Sequence, residues 1–158
     1  MKKLAVSHDK SLRLTNVLKR EVSEQERGND NLIIVIEQMN NYIKSKGYQQ
    51  VGPLIQHTKV QIEKDGNACV YVELMLQASN FINHVEYPYK CEPVMRIKNC
   101  MYVRYTGPEN MLKFAYDKIN LTAFEEDIKL KGDSYTVFVN QVDDDIIADV
   151  FMERAEDA

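Results

Sequence analysis

The segment LIQHTKVQIEKDGNACVYVELML, Leu54 to Leu76, decides the fold. At its centre Lys64-Asp65-Gly66-Asn67 sets Asp-Gly between two runs of β-forming residues, a strong hairpin signal because these residues tolerate the positive φ that tight turns need. The second run alternates. Val70, Val72, Leu74 and Leu76 make an unbroken apolar face suited to packing under a helix, while Tyr71, Glu73 and Met75 point the other way.

Upstream of the hairpin the chain reads as strand then helix. Leu12 to Val22 alternates apolar residues, and Glu24 to Asp30 is polar, with Gly28, and reads as a loop. Asn29 or Asp30 can cap a helix whose stripe is Leu32, Val35, Ile36, Met39 and Ile43. Gly47 stands where a helix end favours positive φ. Downstream the same order returns. Val94 to Tyr105 is a strand, and Thr106-Gly107-Pro108-Glu109 opens a helix. Met111, Ala115 and Ile119 give its stripe; a kink is expected near Asn120 to Thr122, with the helix then running on to Gly132. Tyr135 to Asn140 and Ile146 to Glu153 are strands joined at Asp143-Asp144-Asp145. The expected fold is α+β: duplicated strand–helix–strand–strand units, with antiparallel sheets and two helices packed on one face. Residues 1–10 read as a loose leader before a single domain over 11–158. That domain holds pseudo-repeats at 11–76 and 94–154, joined by a polar and aromatic connector, 77–93.

Composition narrows the function. The 158 residues are 44% apolar and 28% charged, ordinary for a globular chain, with a net charge of −4 and no dense Lys/Arg run. Nucleic-acid binding draws on neutralised phosphates, so this balance argues against it. Cys69, Cys91 and Cys100 have no metal spacing and no disulfide framework; His8, His57 and His84 are scattered and read as surface or hairpin residues. No metal or cofactor is expected. The longest apolar run, Leu32 to Ile36, is too short to span a membrane, and Ser7 to Lys10 interrupt any signal-peptide core. A cytoplasmic protein is expected.

Several short motifs are similar to those of the GyrI-like effector-binding superfamily, the ligand domain of AraC- and MerR-type regulators, related to the SOUL haem-binding fold. They are Ile43-Lys44-Ser45-Lys46-Gly47 with Gly52-Pro53, Val70-Tyr71-Val72-Glu73-Leu74, Tyr105-Thr106-Gly107-Pro108, and Ala148-Asp149-Val150-Phe151-Met152. The resemblance spans about residues 11–154. It implies a groove between the halves that takes an amphipathic or cationic small molecule, with Glu73 and Asp149 as its acids. Some relatives hydrolyse reactive compounds with a Glu and a Tyr, which makes a hydrolase with Glu73 as base an alternative. The family usually carries Glu in the second half and often closes these strands with Pro; here the residues are Asp149, Leu76 and Met152. The chain also resembles small stand-alone proteins of Gram-positive bacteria, some encoded near type VII secretion cargo, and an adaptor role is therefore a second alternative. No DNA-binding segment is expected, and a homodimer is left open.

Parity supports the two acids independently. In the last strand Ile146, Ala148, Val150 and Met152 form the apolar face, leaving Ile147, Asp149 and Phe151 opposite. Each half thus sets one carboxylate between bulky neighbours on the face away from its helix. Such acids are either desolvated and ready for a cation, or paired internally, with Arg96 or Arg104 as the partners in reach. The candidate ligand-binding residues are Glu73, Asp149, Tyr71, Phe151, Tyr87, Tyr89 and Tyr105, with Tyr87-Pro88-Tyr89 as the candidate lid. Tyrosine joins apolar area to a hydrogen-bonding tip, which suits a binding surface.

Overall fold

A computed structural model describes residues 4–155. Six strands and two helices follow in the order β1 (Val6–Val22), α1 (Asn29–Ser45), β2 (Ile55–Ile62), β3 (Ala68–Gln77), β4 (Tyr89–Pro108), α2 (Lys113–Glu125), β5 (Asp133–Val142) and β6 (Asp145–Glu153). The chain gathers into two compact units, Arg13–Met95 and the residues from Arg96 onward with those up to Leu12. Each is strand, helix, hairpin.

In the first unit β3 lies between β1 and β2, antiparallel to both, with Leu18 opposite Leu76 and His57 opposite Glu73. The hairpin turn closes as its sequence demands. Gly66 takes φ 87°, and the Asp65 carboxylate accepts the Asn67 backbone N–H at 3.0 Å. Val35, Met39 and Ile43 of α1 pack on Leu18, Val22, Val72, Leu74 and Leu76, so the even residues of β3 face the helix. The second unit repeats this with β6 between β4 and β5. Here Ala115, Ile119 and Ala123 of α2 cover Met101, Val103, Ala148, Val150 and Met152.

The duplication extends to backbone detail. Asn16 and Asn99 both adopt positive φ, 51° and 57°, a conformation Asn accepts more readily than most residues. The Asn16 carbonyl accepts from Ala78 N–H and the Asn99 carbonyl from Arg154 N–H, so each closes the first strand of its unit onto the end of the last. An isolated bridge then ties Gln50 to Ala78 in one unit and Leu130 to Arg154 in the other.

Several boundaries differ from those expected. β1 begins at Val6, inside the stretch expected to be a leader, because Leu4 and Val6 pack on the core under α2; residues 1–3 lie outside the described residues. Gly28, not Asn29 or Asp30, is the N-cap of α1. β4 starts at Tyr89, inside the expected connector, and continues through Pro108; a 3-10 turn, Glu109–Met111, separates it from α2. Thr106 and Gly107 pair with Ile147 and Ile146, and this ladder claims the residues expected to open the helix. α2 runs unbroken through Asn120 to Thr122 and stops at Glu125. Asp127, at φ 58°, makes the reversal that Gly47 makes after α1, while Gly132 only leads into β5.

Met39 is fully buried beneath α1. Met39→Ala is expected to cost about 2–5 kcal/mol through lost burial and the cavity left behind, read as a lower urea midpoint with an unchanged slope.

Candidate functional site

The odd face of β3 carries the site. Glu73 stands between Val72 and Leu74 in a run of buried positions and is only 9% exposed. Its strand neighbours hold it there: Glu21 of β1 lies opposite on one side and His57 of β2 on the other. The His57 Nδ1 is 3.5 Å from a Glu73 carboxylate oxygen, with both side chains mostly buried. His57 is therefore a hairpin residue, and a mostly buried one. The signal was present, since counting back from the Asp65-Gly66 turn pairs Gln61 with Cys69 and hence His57 with Glu73.

Glu73 lines a cavity of about 500 Å³ formed within this unit, together with Tyr71, Glu21, Tyr87 and Tyr89. Three cations also border it: Lys19, Arg20 and Lys90. Two of these are committed. Lys19 pairs with Glu92, and Arg20 holds Glu26 through both terminal guanidinium nitrogens at 3.2 and 2.7 Å. Against the exposed Lys90 this leaves two carboxylates, Glu21 and Glu73, so the rim beside Glu73 is acidic. Burial, and then the charges of Glu73 and Glu21, push the Tyr71 phenol above its ordinary value. Tyr71 therefore stays a neutral O–H, a donor and an aromatic wall.

The two tyrosines of the expected lid differ. Tyr89 stacks on Tyr42 of α1 at 4.3 Å between ring centroids, and the strap before it is fastened by Glu86, which accepts from the Tyr42 hydroxyl and pairs with Lys46 at 3.2 Å. Tyr87 is 97% exposed. Tyr71, Glu73, Tyr87 and Tyr89 thus share one cavity.

The other candidates are placed differently. Asp149 accepts two hydrogen bonds from Arg104, at 2.8 and 2.9 Å, and a third from the Tyr102 hydroxyl at 2.8 Å. It is the internally paired acid, and the pair raises the Arg104 pKa. Phe151 packs on Tyr102 at 4.9 Å. Tyr105 is fully buried in the core under α2, and its hydroxyl donates to the Pro108 carbonyl. The alternation of β4 turns Tyr105 and Val103 inward, so Tyr105 serves packing instead of a ligand. Cys100 is buried, which pushes its thiol up to about 12, away from any nucleophilic role. Among the described residues no group of three or more His, Cys, Asp and Glu side chains could hold a metal ion, and no helix is long and apolar enough to cross a membrane.

No family model matches the chain, and no curated protein matches it in sequence. Solved structures do. The chain is similar to EcmrR in its complex with DNA, with a TM-score of 0.69 at 15% identity, over 98% of this chain. It spans only 58% of the length of EcmrR. A hydrolase from Listeria innocua superposes with a TM-score of 0.62 at 9% identity, covering 97% of this chain and 92% of that one. SAV2435 bound to tetraphenylphosphonium gives 0.50 at 10% identity, over 98% and 94% of the two chains. At these identities the likeness is one of fold, the duplicated α+β arrangement described above.

The Arg20–Glu26 pair at the cavity edge makes stability depend on pH. Hydrogen bonds from Arg20 and the Ser23 backbone hold the Glu26 carboxyl at about 2, below its ordinary 4.5. The folded value is the lower one, so the contribution is complete above 4.5 and is lost as pH falls toward about 2. Glu26→Gln is expected to flatten the fall in urea midpoint across that window relative to the unsubstituted protein.

Proposed function

We propose that this chain is a small-molecule-binding module, and that its ligand is an amphipathic cation seated over Glu73. The observation that carries this reading is a buried carboxylate beside aromatic walls, in a cavity whose neighbouring cations are mostly tied to other acids. Burying a carboxylate is unfavourable unless a charge or hydrogen bonds compensate. An incoming cation supplies that charge, and its apolar portion gains contact with the rings of Tyr71 and Tyr87. A volume of about 500 Å³ suits a drug-sized molecule.

Two further points support the reading. The motifs around Val70 to Leu74 and Ala148 to Met152 resemble those of GyrI-like effector-binding domains, and a protein of the same fold, SAV2435, is bound to tetraphenylphosphonium. In this proposal the two acids have separate tasks. Glu73 meets the ligand, whereas Asp149 is already satisfied by Arg104 and Tyr102 and serves the second unit. The raised phenol of Tyr71 keeps it a neutral hydrogen-bond donor against a bound ligand.

Thermal-shift titration with tetraphenylphosphonium tests this. At a hundredfold its dissociation constant a ligand adds about 2.7 kcal/mol to the folded state. Glu73→Gln is expected to abolish the shift, and Asp149→Asn to leave it intact even though it lowers the baseline melting point. A shift that survives Glu73→Gln places the ligand elsewhere and overturns the assignment.

A further inference from the structure

One residue of α1 holds both ends of a turn that borders the cavity. Tyr87 and Pro88 line the space beside Glu73, at the centre of a turn closed by the Tyr89 N–H, which donates to the Glu86 carbonyl at 2.9 Å. Tyr42 grips that turn from outside the cavity wall, and it does so twice. Its hydroxyl donates to the Glu86 carboxylate and accepts the Glu86 backbone N–H at 3.1 Å, a reciprocal pair of bonds. Its ring stacks on that of Tyr89. Lys46, a turn further along, pairs with the other carboxylate oxygen of Glu86 and lies 5.2 Å over the Tyr42 ring.

Glu86 is exposed, yet both of its carboxylate oxygens, its N–H and its carbonyl are all engaged. Pairs at so exposed a position contribute little to stability. The segment before the turn is secured by other means. Ile82 is buried in the core under α1, and Ser79 exchanges hydrogen bonds with Gln49 at 2.8 and 3.0 Å. What the clamp adds is orientation. With Glu86 and Tyr89 both fixed on Tyr42, the backbone between them must bridge a set spacing, which leaves the Tyr87-Pro88 corner little freedom. The Tyr87 ring is almost wholly exposed, so its place at the cavity comes from that constraint and not from burial.

We propose that Tyr42 is a positioning residue for the ligand, an inference that rests on the cation site proposed over Glu73. By clamping Glu86 and Tyr89 it sets the Tyr87-Pro88 corner as one wall of the cavity, and it raises affinity without touching the bound molecule. A wall ordered before the ligand arrives costs nothing to order on binding, so the benefit is felt in the dissociation constant.

Two measurements on the full chain separate the clamp from the ligand. Amide hydrogen exchange of the ligand-free protein reads the clamp. Tyr42→Phe keeps the ring and removes the hydroxyl, and is expected to speed exchange at Glu86 and Tyr89 about tenfold or more, with Leu74 and Leu76 unchanged. Titration calorimetry with tetraphenylphosphonium reads the consequence. Tyr42→Phe is expected to raise the dissociation constant about tenfold. Glu86→Gln, which keeps an oxygen for the Tyr42 hydroxyl, is expected to raise it less than Glu86→Ala. In a Tyr87→Ala background Tyr42→Phe is expected to add little, since the ring it positions is gone, whereas a merely structural loss would add in full. Unchanged exchange at Glu86 and Tyr89 overturns the clamp. Unchanged affinity, or full additivity with Tyr87→Ala, overturns the positioning role. An unsubstituted chain that does not bind tetraphenylphosphonium fails differently: it removes the proposed ligand, and the positioning role with it, whatever the exchange shows.

Discussion

The structure depends on the burial of one face of each central strand beneath a helix. In β3 the face is Val72, Leu74 and Leu76 under Val35, Met39 and Ile43; in β6 it is Ala148, Val150 and Met152 under Ala115, Ile119 and Ala123. A strand alternates its side chains, so whatever claims one face dictates what the other presents. With the even residues of β3 committed to α1, Tyr71, Glu73 and Met75 have no choice but the opposite side. A slip of one residue would bury Glu73 under the helix with no partner at hand. The register is held against such a slip by the Asp65-Gly66 turn at one end and the Asn16 carbonyl at the other.

The two units solve the same problem with different chemistry on that opposite face. In β6 the acid is answered within the fold, by a bidentate arginine and a tyrosine on the neighbouring strand. In β3 the acid meets a histidine at 3.5 Å and another acid, Glu21, while the cations close by are tied to Glu92 and Glu26. An exact duplication would have given both acids the same partners. The divergence leaves Asp149 held by three hydrogen bonds and Glu73 between a histidine and open space.

Most of the fold was legible in the sequence because it is written in local, short-period signals. Alternation in β3 and β6, the stripes of α1 and α2, and the glycine and aspartate turns all act within a few residues. The errors arose where a long-range ladder overruled a local preference. Thr106-Gly107-Pro108 reads as a helix start, yet its pairing with β6 keeps it in strand, and Val6 is strand because the core under α2 takes it in. Asn16 and Asn99, which close the two units, sit in sequence as ordinary polar residues.

For the candidate site the division is sharper. By itself the sequence determined which faces carry Glu73 and Asp149, since parity needs only the strand and its apolar side. Which acid is paired with an arginine and which lines a cavity was decided by tertiary structure. Arg104 reaches Asp149, Lys19 is drawn to Glu92, and Tyr89 is spent on Tyr42, through contacts between residues 45 to 73 positions apart. Such pairings depend on where strands lie side by side, and no local period encodes that. Tyr105 shows the same limit, as one more tyrosine by composition whose place in β4 carries it into the core.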